Sequence, residues 1–265
     1  MDEVPLTFDM PMNRTVDKKG SSTISIKTTG HEKASFTLVL SVTAAGTKLP
    51  PMIIFKRKTQ PKEKFPKGIV IHVNEKGWMD KDMMSKWIKE CYSQRPGGFF
   101  HTQRALLVMD SMRAHITEDV KRALEANNTT PAIIPGGLTK LLQPLDISVN
   151  RTFKASMRVL WEEWMSSGEH SFTKTGRLRR ATLTEIAQWV LSAWDSVSVT
   201  CVTNGFRKAD ISASEVSTES ENDWSDDDDM PLARYQYLPK TIASMFHSNS
   251  EDSDFEGFSE VDLHM

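Results

Sequence analysis

Residues 34–44 read ASFTLVLSVTA, with Phe36, Leu38, Leu40 and Val42 at every second position. Side chains of an extended strand alternate between faces, so this period of two predicts a strand with one face against a core. Ala45-Gly46-Thr47-Lys48 supplies a turn, and Met52-Ile53-Ile54-Phe55 the returning strand. IVIHV at 69–73 is a further apolar run. The period then changes. From Asp82 to Cys91, Met83, Trp87 and Ile88 fall on one helical face, and RPGGFF at 95–100 breaks the pattern. LLVMD at 106–110 is a strand. Ile116, Val120, Ala123 and Leu124 follow at helical spacing, with Glu118 and Asp119 in the first turn, where the helix dipole favours negative charge. PAIIP at 131–135 is a short strand closed by Pro135-Gly136-Gly137. A strand–helix–strand unit of this kind predicts a parallel pair with a right-handed crossover.

Two longer helices complete the pattern. Phe153, Met157, Leu160, Trp161 and Trp164 form one apolar stripe, and Asp146 stands ahead of it, where an N-cap belongs. Thr182-Leu183-Thr184-Glu185 has the form of a capping box. The helix it starts turns Leu183, Ile186, Ala187, Val190, Leu191 and Trp194 inward. Trp161, Trp164, Trp189 and Trp194 lie on these stripes and are expected in the core rather than stacked on bases. Strands first, then alternating strand and helix, then helices: the order predicts an α/β fold whose sheet has an antiparallel meander on one side.

Composition adds a division of charge. The chain has 265 residues, 38% of them hydrophobic, enough for one large domain or two small ones. Of 33 Lys/Arg and 35 Asp/Glu, the segment from Asp210 onward holds two and fifteen. That leaves 31 and 20 in residues 1–209, a net of +11. A basic body suggests a polyanionic partner. The Ser-, Asp- and Glu-rich tail lacks the apolar surface to order itself. Within it PLARYQYLP (231–239) is a less polar candidate for a short partner-binding motif. Cys91 and Cys201 show neither metal-ligand spacing nor a disulfide framework, which fits a reducing compartment. No apolar run reaches the roughly 18–20 residues of a membrane span, and Asp2 and Glu3 replace the basic start of a signal peptide. The expectation is a cytosolic or nuclear protein with no membrane partner.

Candidate chemistry begins where the strand LLVM runs into Asp110. Acids at strand ends and helix starts are held rigidly. Asp146 qualifies, and Asp2 and Glu3 are further candidates. Magnesium takes hard oxygen ligands and needs only one or two protein carboxylates beside substrate phosphates. Two such ions can serve an in-line phosphoryl displacement. Spacing alone leaves the plainer readings open: Asp110 as the strand's exit, Asp146 as a cap.

Several blocks narrow the choice. MDEVPLTFDMP (1–11), KTTGHEKASFTLVLSVTAAGTKLPPMIIFKRK (27–58), VNEKGWMD (73–80), LLVMDSMRAH (106–115) and IPGGLTKLLQPLDISVNRTFK (134–154) resemble, in order, the DDE endonuclease domain of pogo-type transposases. This is the branch of the mariner superfamily that includes the Tigger elements and centromere protein B. The nearest similarity is to pogo-derived proteins, some of which carry a KRAB domain. The resemblance covers residues 1–207. It implies a ribonuclease-H-like mixed sheet flanked by helices, and a catalytic, metal-binding triad of Asp2, Asp110 and Asp146 that holds two Mg²⁺ or Mn²⁺ ions. His115 matches the family pattern as support for the site or for a phosphate. Gly136 and Gly137 are expected to serve the turn. Lys56, Arg57, Lys58, Lys62 and Lys64, with Arg177, Arg179 and Arg180, would contact DNA phosphates in a sequence-independent, salt-sensitive way, unless they are simply solvated.

The resemblance is incomplete in two respects. Family members carry an N-terminal helix-turn-helix region for transposon ends, and none is present here. Met1 also stands directly before Asp2, so the first strand is expected to be truncated at the N-terminus and Asp2 to fray. The expected organisation is a DDE-type domain over 1–207 and an acidic, mostly disordered tail over 208–265. Two functions follow. One is a nuclear, metal-dependent endonuclease and strand transferase acting on DNA, as a homodimer, with no small-molecule substrate. The other is a domesticated DNA-binding or protein-interaction module without catalysis. The missing DNA-reading region predicts weak or absent transposition by the isolated chain.

Overall fold

A computed structural model describes residues 1–11, 27–98, 103–167 and 170–211. Strands β1 (Asp2–Thr7), β2 (Ser35–Leu40), β3 (Met52–Lys56) and β4 (Val70–Asn74) form one sheet in that order. β1–β2 and β2–β3 are antiparallel, which is the expected meander, and β3–β4 are parallel. β5 (Ala105–Asp110) and β6 (Thr129–Ile134) are parallel, as the strand–helix–strand unit predicts. The two sheets meet where the Met1 ammonium donates to the Val108 carbonyl at 3.0 Å.

The period of two sorts the strands' side chains into two cores. Val4, Leu6, Phe36, Leu38, Leu40, Ile53 and Phe55 face α4 (Asn150–Ser166), α5 (Leu183–Ser196) and α6 (Val199–Lys208). Val39, Met52 and Ile54 face the other way, packing with α1 (Lys81–Glu90), α2 (Glu118–Ala126) and the Leu107 and Met109 of β5. A sheet buried on both faces needs the apolar runs that β2 and β3 show. Met83, Trp87 and Ile88 are buried from α1, and the Thr182–Glu185 capping box is present. Trp161 and Trp194 are buried and Trp164 and Trp189 half-buried, so the tryptophan stripes serve the core.

Three expectations change. Asp2 does not fray. It is 8% exposed, and β1 pairs in full register with β2, from Asp2 opposite Leu40 to Thr7 opposite Ser35. The anchor is Met1, whose side chain is buried in the α1/α2 core and whose ammonium bonds to Val108. Asp146 is not an N-cap. Pro144 already has helical angles (φ −55, ψ −35), so the helical path starts before Asp146, and Leu145–Val149 forms a π-turn leading into α4. Val149 stands at the N-cap of α4 with no side-chain cap. Finally, α6 extends the helical region beyond α5. It packs on this π-turn: a Cβ added to Gly205 would sit 2.5 Å from the Pro144 carbonyl oxygen, and Ser148 Oγ donates to the Cys201 carbonyl at 2.9 Å. A glycine on α6 therefore lets the turn that carries Asp146 lie close.

The acidic tail beyond residue 211, its PLARYQYLP segment, and Phe99 and Phe100 of the predicted breaker lie outside the described residues. Among the described residues, no helix is long and apolar enough to cross a membrane.

Candidate active site

The acids gather where β1 begins and β5 ends. Asp2 Oδ1 accepts from the Glu3 amide at 2.9 Å, and Asp2 Oδ2 from Asn150 Nδ2 at 2.5 Å. The same Asn150 nitrogen donates to Asp146 Oδ1 at 2.9 Å. Asn150 follows Asp146 by four residues, so the helical repeat sets it over Asp146. One amide thus ties the first strand's acid to the helix's acid. Burial, and then the Asp146 charge, push the Asp2 carboxyl up to about 7, against the Asn150 hydrogen bond. Asp2 is buried and Asp146 exposed, so the pair runs from the interior to the surface.

Asp110 has a different environment. Its Oδ1 lies 2.8 Å from His115 Nδ1 and accepts from the Met112 amide at 3.1 Å. His115 Nε2 lies 2.8 Å from Glu3 Oε1. The imidazole is 1% exposed. Burial alone would lower it, but hydrogen bonds to Asp110 and Glu3 raise it to about 10. The ring is therefore an imidazolium clamped between two carboxylates. Its hydrogen bond, more than any other contact, holds the Asp110 carboxyl below its ordinary value.

The predicted triad is thus joined through intermediaries. Asp2 and Asp146 share Asn150. Asp110 reaches them through His115 and Glu3, the neighbour of Asp2. The Met1 ammonium, pushed down by burial, feels Asp2, Glu3 and Asp110 together. Among the described residues, the group whose possible ligand atoms all lie within 4.8 Å of one another is Glu3, Asp110 and His115. A metal at this group would have to displace the His115 proton that Asp110 and Glu3 hold. Asp2 and Asp146 offer hard oxygens bridged by a neutral amide, and among the described residues the Asn150 Oδ1 is buried without a partner. That donor set fits a hard divalent cation.

Asn150 was not among the sequence candidates, although its i+4 relation to Asp146 was a usable signal. Glu3 was weighed, but its role against His115 depends on a contact 112 residues away in the chain.

The two basic groups adjoin. Lys56, Arg57, Lys58, Lys62, Lys64, Arg177 and Arg179 are exposed, and Arg180 is half-buried with its guanidinium 3.9 Å from the Phe8 ring. Burial and then Arg57 lower Arg180, which places the two cations within electrostatic reach. Glu63 ties the 56–67 loop to the start of α5, accepting from the Thr184 amide at 2.9 Å.

The family model described as DDE superfamily endonuclease matches residues 33–206. Two curated relatives, each a pogo transposable element with KRAB domain, are 36% identical (Homo sapiens) and 37% identical (Mus musculus) over 232 residues. That is 87% of this chain, which spans only 37% and 38% of those proteins. Among solved structures, the Mos1 transposase paired-end complex with left transposon end aligns with a TM-score of 0.51 at 11% identity, covering 78% of this chain and 50% of that one. At that identity the likeness is one of fold, and it places the mixed sheet and its flanking helices in the ribonuclease-H-like class.

Proposed function

The chain belongs to the DDE superfamily endonuclease family, and from that premise we propose that residues 1–207 form a metal-dependent domain that cleaves and transfers DNA strands. The observation that carries this reading is the Asp2–Asn150–Asp146 bridge, in which one neutral amide holds two carboxylates together. Asp2, Asp146 and Asp110 would hold two Mg²⁺ or Mn²⁺ ions. Ions of this kind activate an attacking oxygen and stabilise a leaving one. The chain's own residues do the positioning. Asn150 orients the two carboxylates it bridges, and outer partners of this sort tune first ligands. Asp2 would serve as a ligand in its ionised form. His115 fixes Asp110 and Glu3 and keeps Asp110 ionised.

The two basic groups, Lys56, Arg57, Lys58, Lys62 and Lys64 with Arg177, Arg179 and Arg180, would bind DNA phosphates, with affinity that falls steeply as salt rises. The remaining parts of the proposal are action in the nucleus, pairing of two chains on DNA, and an acidic tail from 208 to 265 outside the catalytic domain.

Nicking of supercoiled plasmid DNA tests the reading. The expected result is Mg²⁺- or Mn²⁺-dependent nicking that Asp110→Asn and Asp146→Asn each abolish while the protein stays folded. No nicking with either ion, or nicking that survives both substitutions, would overturn it.

A further inference from the structure

Between β4 and α1 the chain turns through Glu75-Lys76-Gly77-Trp78-Met79-Asp80, and the turn leaves one tryptophan outside. Gly77 and Met79 are buried, whereas Trp78 between them is 66% exposed. The other tryptophans among the described residues, Trp87, Trp161, Trp164, Trp189 and Trp194, are buried or half-buried. A large aromatic ring contributes most when it is covered, so an indole held in water asks for a reason.

The turn fixes it there. Asn74, the last residue of β4, grips both main-chain groups of Trp78. Its Oδ1 accepts from the Trp78 amide at 3.3 Å, and its Nδ2 donates to the Trp78 carbonyl at 2.6 Å. The same Oδ1 accepts from the Gly77 amide, and Nδ2 also donates to Asp80 Oδ2 at 3.2 Å. From β2, Thr37 Oγ1 donates to the Gly77 carbonyl at 2.8 Å. Gly77 has a φ of 72°, and a Cβ there would sit 2.8 Å from Lys56 Cβ and 3.2 Å from Lys56 Cα. Only glycine lets the turn lie on the end of β3. Met79 then enters the core beside α1. With its main chain held on both sides, Trp78 has little order left to lose when a ligand meets it.

The surroundings select the ligand. The Arg57 amide donates to the Asn74 carbonyl at 2.9 Å, which sets Lys56, Arg57 and Lys58 beside the turn. Lys76 is exposed in the turn itself. Of the acids in the turn, Asp80 caps α1 and meets Asn74, and Glu75 lies 3.9 Å from Lys58. Residues 56–82 hold eight Lys/Arg against four Asp/Glu, so the local balance is positive. No other large apolar side chain of residues 27–98 is exposed, so these residues add no apolar patch of the kind a protein partner covers. A flat apolar face among cations suits a nucleotide whose base has left its stack: the base lies on the indole, and its phosphates meet the cations. A base inside a duplex has no free face to offer.

We infer that Trp78 is a stacking platform for an unpaired DNA base, with Lys56, Arg57 and Lys76 against the flanking phosphates. This inference rests on the DNA-acting reading above, and it adds a place for a strand that has left the duplex.

The test uses the full chain in EDTA, with a fluorescein-labelled single strand of about twelve nucleotides and a blunt duplex of the same sequence. In fluorescence anisotropy, Trp78→Ala should weaken single-strand binding about tenfold and leave duplex binding unchanged. Trp78→Phe, which keeps a ring, should retain most of the single-strand affinity. Both variants should lose affinity with salt in parallel with the unsubstituted chain, because their phosphate contacts are untouched. Trp78 is exposed enough for both variants to fold. Binding read in EDTA is independent of metal-dependent nicking, so failure of the cleavage reading and failure of this inference are separate results. No single-strand binding by the unsubstituted chain, equal loss on single strand and duplex, or a Trp78→Phe chain as weak as Trp78→Ala would each overturn the inference. So would a Trp78→Ala chain with unchanged single-strand binding and altered sedimentation, which would assign the ring to a contact between copies.

Discussion

Asp2 and Asp110 are the same side chain, placed near the meeting of two strands, yet their surroundings drive them in opposite directions. Burial and the neighbouring Asp146 push Asp2 up to about 7. The His115 hydrogen bond pulls Asp110 down. The difference lies in the bridging group. Asn150 joins Asp2 to Asp146 with a neutral amide, which orients two carboxylates and leaves their charges to repel. His115 joins Asp110 to Glu3 with a cation, which neutralises them. One half of the site therefore carries a cation within its hydrogen bonds, and the other is bridged by a neutral group. A buried acid beside a like charge is the arrangement expected where a protein prepares for chemistry.

Four experiments strain this contrast. The largest effect belongs to the amide-bridged half: Asp146→Asn removes a carboxylate from the proposed metal site and should lower metal-dependent nicking by at least about a hundredfold, beyond the 10–100-fold typical of outer-shell residues. His115→Ala would strip the other half of its cation and leave Glu3 and Asp110 facing each other. Loss of one partner from a fully buried pair costs about 3–5 kcal/mol. The Asp110 side chain is 31% exposed, so urea unfolding should show a smaller loss, about 2–3 kcal/mol. Asn150→Ala keeps every acid but frees Asp2 and Asp146 from their common tether. Metal affinity, read by calorimetry, should fall about tenfold.

The smallest effect is in pH dependence, where the two halves have different windows. The folded state holds the Asp2 proton more tightly than the unfolded chain, so metal-free stability falls as pH rises from the ordinary 3.8 toward about 7. Added Mg²⁺ should remove that loss. The His115 contribution is complete below its ordinary 6.5 and is lost as pH rises through about 10. Urea midpoints across pH, with and without Mg²⁺, measure both. A metal-free profile that stays flat between pH 4 and 7 would contradict the reading of Asp2.

Much of the scaffold was legible because burial imposes a period. The alternation of Phe36, Leu38 and Leu40 predicted β2, and Thr182 with Glu185 predicted the start of α5. The parallel β5–β6 pair followed from strand–helix–strand order. α6 was missed because Val199, Thr200, Val202 and Thr203 are β-branched and Gly205 favours a break. Its helicity comes from packing Val202, Gly205 and Phe206 against the π-turn and the core. In the site, the acids were readable one by one, whereas their grouping was not. That Asp2 answers to Asp146 through Asn150, and Asp110 to Glu3 through His115, depends on contacts between residues more than a hundred positions apart. The buried placement of Asp2 depends in turn on Met1 reaching Val108, a contact that no periodicity announces.

The most direct test of the central contrast is a Mn²⁺ titration followed by electron paramagnetic resonance, run on the unsubstituted chain, Asp146→Asn and His115→Gln at pH 8. The account predicts that the unsubstituted chain binds Mn²⁺, that Asp146→Asn weakens this binding by at least about tenfold, and that His115→Gln retains most of it. If Asp146→Asn bound Mn²⁺ as tightly as the unsubstituted chain, the cation would not belong to the Asp2–Asp146 half, and the account would be wrong.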